Sequence, residues 1–135
     1  MNSAEKSLTV GISASLSKAF TQDEVNLFSQ LSLDSNEVHL NPEYAARTKF
    51  GKTIVHGALT SSLISAVLGT KLPGPGTIYL EQSISFKAPV YPGETITATV
   101  TVIEAMPKCR YKLKTICTNL KNEIVISGEA LVLFR

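Results

Sequence analysis

"GKTIVHGALTSSLISAVLG", residues 51–69, decides how the rest of the chain is read. From Gly57 onward, Ala58, Leu59, Leu63, Ile64, Val67 and Leu68 wrap around much of a helix, broken only by small hydroxyl residues. A helix that is apolar on so many sides belongs inside a domain, not on its surface. Thr60, Ser61, Ser62 and Ser65 make it a core helix rather than a membrane span. Gly69 is its expected stop, and "LPGPG" (72–76) a rigid loop beyond it.

The flanks are of two kinds. Before the helix, "SLTVGISASLSKAF" alternates Leu8, Val10, Ile12, Ala14 and Leu16 with polar or small residues, the mark of a half-buried strand. Thr21 and Glu24 then stand at capping-box spacing, with Phe20 and Val25 placed as a hydrophobic staple. The helix they open is expected to bury Val25, Phe28 and Leu31 and to run out near Leu33. Asn41 and Pro42 predict a second, short helix. His39 falls between the two.

After the central helix come four strands. They lie in "TIYLEQSISFKA", in the alternating stretch Ile96 to Val102 after the "YPGE" turn (91–94), in "RYKLKTICTNL" and in "EIVISGEALVLF". Helices grouped ahead of antiparallel strands give an α+β domain rather than a βαβ one. The expected architecture is one domain over 1–135, a curved antiparallel sheet around a central helix at about 57–69.

Bulk properties exclude several function classes. The 135 residues suffice for a core without metals or cross-links, and a net charge of +2 with scattered lysines and arginines argues against nucleic acid and membrane surfaces. Cys109 and Cys117 are eight apart in one expected strand, roughly 26 Å, so they are read as reduced thiols. That usage fits an intracellular compartment. The stretch "MNSAEKSLTVG" reads neither as a signal peptide nor as a transit peptide. No serine-nucleophile, zinc-protease or nucleotide-binding motif is present, and no cofactor is expected.

One stretch suggests chemistry. "LSLDSNEVHLNPEYA" (31–45) places Asp34, Asn36 and His39 close together. Each has a plain reading: Asp34 and Asn36 as turn or cap residues, His39 as a half-buried, hydrogen-bonded histidine. Their ordinary pKa values, about 3.9 and 6.5, also let Asp34 and His39 act together as base and acid near neutrality. His56, against Gly57 at the helix start, is read as a packed, hydrogen-bonded histidine. The first N–H groups of that helix have no intrahelical partner, and Gly57 allows a ligand close to them, an oxyanion site for a thioester carbonyl.

D-x-N-x-x-H, followed by "HLNPEYAARTKFGKTIVHGALTSSLISAVLG" and "LPGPGTIYLEQSISFKAPVYPGE", resembles the MaoC-like (R)-specific enoyl-CoA hydratases, and within them the mitochondrial type 2 3-hydroxyacyl-thioester dehydratases. The resemblance spans about Leu8 to Leu133. It implies a hot-dog fold and a homodimer whose sheets join edge to edge. It implies reversible syn hydration of trans-2-enoyl thioesters to (3R)-hydroxyacyl thioesters, with acyl-CoA or acyl-carrier-protein substrates. By position, Asp34 and His39 become the catalytic pair on one water, and Asn36 orients the pair or the water. The Gly57 N–H holds the thioester oxygen, and Ser65 supports the site by hydrogen bonding, its plain alternative being a bond to the preceding turn. The resemblance also implies a mitochondrial matrix location, or the cytoplasm if no import segment has been removed. The family pattern usually reads D-x-N-P-x-H. Here Glu37 replaces the proline, removing a backbone restraint, and it is expected to face solvent.

Two other functions fit a hot-dog frame. A thioesterase would send water to the carbonyl and generally carries its carboxylate on the central helix, yet 57–69 contains no Asp or Glu. A non-catalytic acyl-thioester binding subunit would have let the site decay, whereas Asp34, Asn36, His39 and Gly57 are all in place. Lys49, Lys52, Lys71 and Lys87 are candidate contacts for the phosphates of the carrier.

Overall fold

The computed structural model describes residues 8–135; the first seven residues of the expected domain, including the start of the first strand, lie outside the described residues. The elements run β1 (Ser13–Ala19), α1 (Gln22–Ser32), α2 (Glu37–Leu40), α3 (Pro42–Ala46), α4 (Gly57–Thr70), β2 (Ile78–Gln82), β3 (Ser85–Phe86), β4 (Thr95–Met106), β5 (Arg110–Thr118) and β6 (Ile124–Leu133). All strand pairs are antiparallel, in the order β1-β4-β5-β6-β2, with β3 also pairing β6. Helix α4 packs on β4, β1 and β5. This is the hot-dog arrangement expected from the sequence.

Long central strands supply the core. β4 alternates half-buried threonines with the fully buried Ile96, Ala98, Val100 and Val102, one face toward α4. α4 answers with Leu63, Ile64, Val67 and Leu68. Full burial of each such side chain stabilises the domain by about 1.5–3 kcal/mol.

Several local expectations are revised. α4 is not buried all round: Ala58, Ser62, Ser65 and Gly69 are exposed, because its small and hydroxyl residues gather on the face away from the sheet. Gly69 does not stop the helix, which continues through Thr70. The first strand starts only at Ser13, since Gly11 (φ 102°) turns the chain and leaves Val10 and Ile12 exposed. The strand expected over 77–88 is split into β2 and β3. Both pieces pair β6, and between them the Ser83 carbonyl lies against Gly128, where a Cβ would overlap it. Cys109 lies in the β4–β5 turn with φ 60°, not in the strand, and both cysteines are free. Among the described residues, no helix is long and apolar enough to cross a membrane.

Candidate active site

The capping box at Thr21 forms as read. The Thr21 hydroxyl accepts from Glu24 N (3.1 Å), and Glu24 Oε1 accepts from Thr21 N (3.0 Å). The buried side of α1, however, is Val25 and Ser29 with Phe28 half-buried, while Leu31 is 75 % exposed. The shift matters, because it turns Ser29 and Phe28 toward the start of α4.

α1 ends on Leu33 in the left-handed region (φ 68°), and the chain reverses through two turns that use the motif residues themselves. Asp34 Oδ1 accepts from Asn36 N at 3.2 Å, and Asn36 Oδ1 accepts from Val38 N at 3.2 Å. Asn36 thereby caps α2, so His39 sits within a short helix and not between helices. Glu37 occupies the first helical position, where proline is favoured and a carboxylate complements the helix dipole. It is exposed, as expected, and accepts from Asn41 Nδ2 at 3.1 Å, a bond that restrains the loop without the proline. Asn41 and Pro42 open α3 as read.

His39 is held from three sides. Its Nδ1 donates to the carbonyl of Ile54 at 2.8 Å, which leaves Nε2 as the uncommitted ring nitrogen. The N–H of Ile54 donates to Val38 O (3.2 Å), and Val55 N donates to Val90 O (2.7 Å), tying this strap to the domain. Gln22 Nε2 donates to His39 O (2.9 Å), while Gln22 Oε1 accepts from Thr53 (2.8 Å). His39 is 8 % exposed and Asp34 is exposed beside it.

The third member of the cluster is His56. One polar atom from each of Asp34, His39 and His56 lies within 4.8 Å of the others. Burial pushes the His56 imidazole below its ordinary value, and repulsion from His39 adds to that. The imidazole planes of His39 and His56 are stacked at 28°, so their lone pairs run side by side instead of converging. His39 Nδ1 is also committed to Ile54, which leaves one free ring nitrogen on this residue.

His56 is also the N-cap of α4, and it makes no side-chain cap bond. The first intrahelical bond is Thr60 N to His56 O (3.0 Å), leaving the first N–H groups at the Gly57 end without an intrahelical partner, next to His56. A Cβ at Gly57 would overlap the ring of Phe86, which packs directly against this backbone. Gly57 and Phe86 line a cavity of about 570 Å³ whose walls include Val55 and Ile126, with Lys49 and Lys87 among its polar lining. Asp34 and His39 are not on its walls; Gly57 is where cavity and cluster meet.

The structure therefore brings together Asp34, Asn36, His39 and Gly57, with Asn36 engaged through its oxygen in capping. Ser65 is not brought in. It is exposed, eight residues beyond Gly57, about 12 Å along the helix axis. Sequence reasoning missed Ser29, Gln22 and Phe86; its packed, hydrogen-bonded reading of His56 holds, but did not place the ring against His39 and Asp34. Adjacency of His56 to Gly57 was the one signal available, since the others reach the site through tertiary contacts alone.

The MaoC like domain family matches residues 4–124. The chain is 49 % identical over 124 residues to an (R)-specific enoyl-CoA hydratase of Rhodospirillum rubrum, covering 91 % of this chain and 85 % of that protein. It is 34 % identical over 127 residues to a mitochondrial 3-hydroxyacyl-[acyl-carrier-protein] dehydratase of Arabidopsis thaliana, covering 91 % and 75 % of the two. Its fold matches the solved (R)-hydratase from A. caviae involved in PHA biosynthesis, with a TM-score of 0.93, 45 % identity and coverage of 96 % and 99 %. A hot-dog sheet around α4, the D-x-N-x-x-H loop at its N-terminus and these likenesses agree: the chain belongs to the MaoC-like domain family.

Proposed function

We propose that this chain is an (R)-specific hydro-lyase that interconverts trans-2-enoyl and (3R)-hydroxyacyl thioesters, with Asp34 and His39 as its acid–base pair. The observation that carries the reading is the His39 Nδ1–Ile54 bond, which fixes the ring and leaves Nε2 as its free nitrogen in a cluster with Asp34. In hydration, ionised Asp34 takes one proton from water as the oxygen bonds to C3. The imidazolium of His39 gives its Nε2 proton to C2 on the same face. Negative charge gathers on the thioester oxygen, where the Gly57 N–H and the α4 dipole stabilise it. The proton then passes from Asp34 back to His39, whose polar atoms lie within 4.8 Å. Dehydration runs the same steps in reverse.

CoA is the carrier this reading favours. The relatives at 44–49 % identity are named as CoA enzymes, while the carrier-protein dehydratases stand at 34 %. Lys49 and Lys87 at the cavity offer cationic partners for its phosphates. The mitochondrial proteins are the more distant of these relatives, so the matrix location implied by the resemblance has the weaker support. A homodimer is supported by β2, which among the described residues pairs only β6 and leaves its other edge open, with Ile78, Tyr79 and Leu80 exposed.

The test is to add the protein to crotonyl-CoA and follow the enoyl absorbance and free thiol together, then assign the product with stereospecific 3-hydroxyacyl-CoA dehydrogenases. Loss of the enoyl band without thiol, giving the (3R) product, is expected. Thiol release would move the chain to the thioesterases.

A further inference from the structure

His56 is almost wholly buried, at 1 % exposure, yet its Nδ1 has no hydrogen-bond partner among the described residues. Nε2 lies 2.9 Å from Ser29 Oγ and 3.4 Å from the carbonyl oxygen of Asp34. The carbonyl can only accept, so the arrangement selects the tautomer protonated at Nε2, donating toward Ser29 and Asp34. The other tautomer would bury an N–H with no acceptor, a penalty of about 1–3 kcal/mol. A bare lone pair at Nδ1 is the cheaper orphan.

The ring is packed between two aromatic neighbours in sequence-distant elements. The edge-on ring of Phe28 lies with its centroid 4.7 Å away at 63°, and the ring of His39 is stacked with its centroid 3.9 Å away. His56 thus touches both members of the dyad by different means. It meets His39 through its face and Asp34 through the backbone carbonyl, while Ser29 on α1 holds the far side of Nε2.

We infer that His56, braced by Ser29, is a positioning residue of the hydratase reaction: a neutral imidazole that holds the plane of the His39 ring and the Asp34 turn in register. The inference rests on the acid–base role given to Asp34 and His39. Being N-cap of α4 as well, His56 couples the dyad to the Gly57 donors that receive the thioester oxygen. One buried ring sets the three partners of the reaction relative to one another. A misplacement of about 1 Å is enough to lower a rate by about a hundredfold.

The substitutions separate the two contacts. His56→Gln keeps a donor near the Nε2 position and loses the stacked ring. His56→Phe keeps the ring and loses the donor. Ser29→Ala leaves His56 in place and removes its brace, and it carries the test by itself if the His56 variants fail to fold. In crotonyl-CoA hydration, His56→Gln and His56→Phe are each expected to lower kcat about tenfold or more, and Ser29→Ala about threefold, with KM unchanged within about twofold. A purely structural role would lower Tm and the folded fraction but leave kcat per folded molecule intact. The inference is overturned if kcat per folded molecule of every folding variant stays within about twofold of the wild type, or if KM changes instead. An inactive wild type would overturn the dyad itself, so the two failures are distinct.

Discussion

The imidazole rings of His39 and His56 lie face to face, centroids 3.9 Å apart and planes inclined by 28°. Burial, and then the neighbouring His39 ring, hold His56 below its ordinary value.

That depression makes stability depend on pH. The unfolded chain protonates His56 near its ordinary value of 6.5, whereas the folded chain resists until lower pH. The contribution is therefore complete above that value and is lost as pH falls through the folded-state value. Tm is expected to drop between about pH 7 and pH 5, and His56→Gln to flatten part of the drop. An identical pH dependence in the variant would contradict the assignment of a neutral buried ring.

Gly57→Ala adds a methyl group where the Phe86 ring packs. Phe86 is 61 % exposed and can swing away, so little stability is lost. The methyl and the displaced ring remain where the thioester carbonyl must approach the helix end. A fall in kcat/KM of about tenfold or more is expected, with Tm within about 3 °C of the wild type. Unaltered kinetics would mean that the carbonyl does not bind there.

Gly128→Ala should act on the fold instead. Its Cβ would overlap the backbone oxygen of Ser83, which no side-chain rotation relieves. A loss of about 3 kcal/mol or more is expected in urea unfolding. A variant as stable as the wild type would show that the β2–β3 break is not fixed by this contact.

If β2 forms the subunit edge, Ile78→Lys with Leu80→Lys places charge on two exposed apolar positions, one of them 51 % exposed in the single chain. Light scattering is expected to give twice the chain mass of 14.5 kDa for the wild type and a monomer for the double variant. A monomeric wild type at micromolar concentration would remove the dimer from the account.

The frame was legible in local chemistry. The Thr21 capping box, the Asn41–Pro42 helix start and the alternating β4 strand formed where the pattern placed them, because each is settled by residues a few positions apart. Features set by distant partners were not legible. The break between β2 and β3 depends on Gly128, about forty-five residues onward, and the exposure of Ser65 on which face of α4 meets the sheet. At the site, Asp34, Asn36 and His39 announce themselves by spacing within one loop. Ser29 and His56 meet across 27 positions, and no periodicity marks such a pair. Leu31 was misassigned to the core of α1 because apolar spacing alone does not say where the neighbouring loop leaves the helix uncovered.

The most direct measurement of the central claim is the rate of crotonyl-CoA hydration by Asp34→Asn and His39→Ala beside the wild type, each checked for native circular dichroism. Each substitution removes one proton carrier and leaves the Gly57 donors in place, so a fall of about 10²–10⁴-fold in kcat with the fold intact is expected. Near-wild-type turnover in either variant would contradict the dyad and place the chemistry elsewhere.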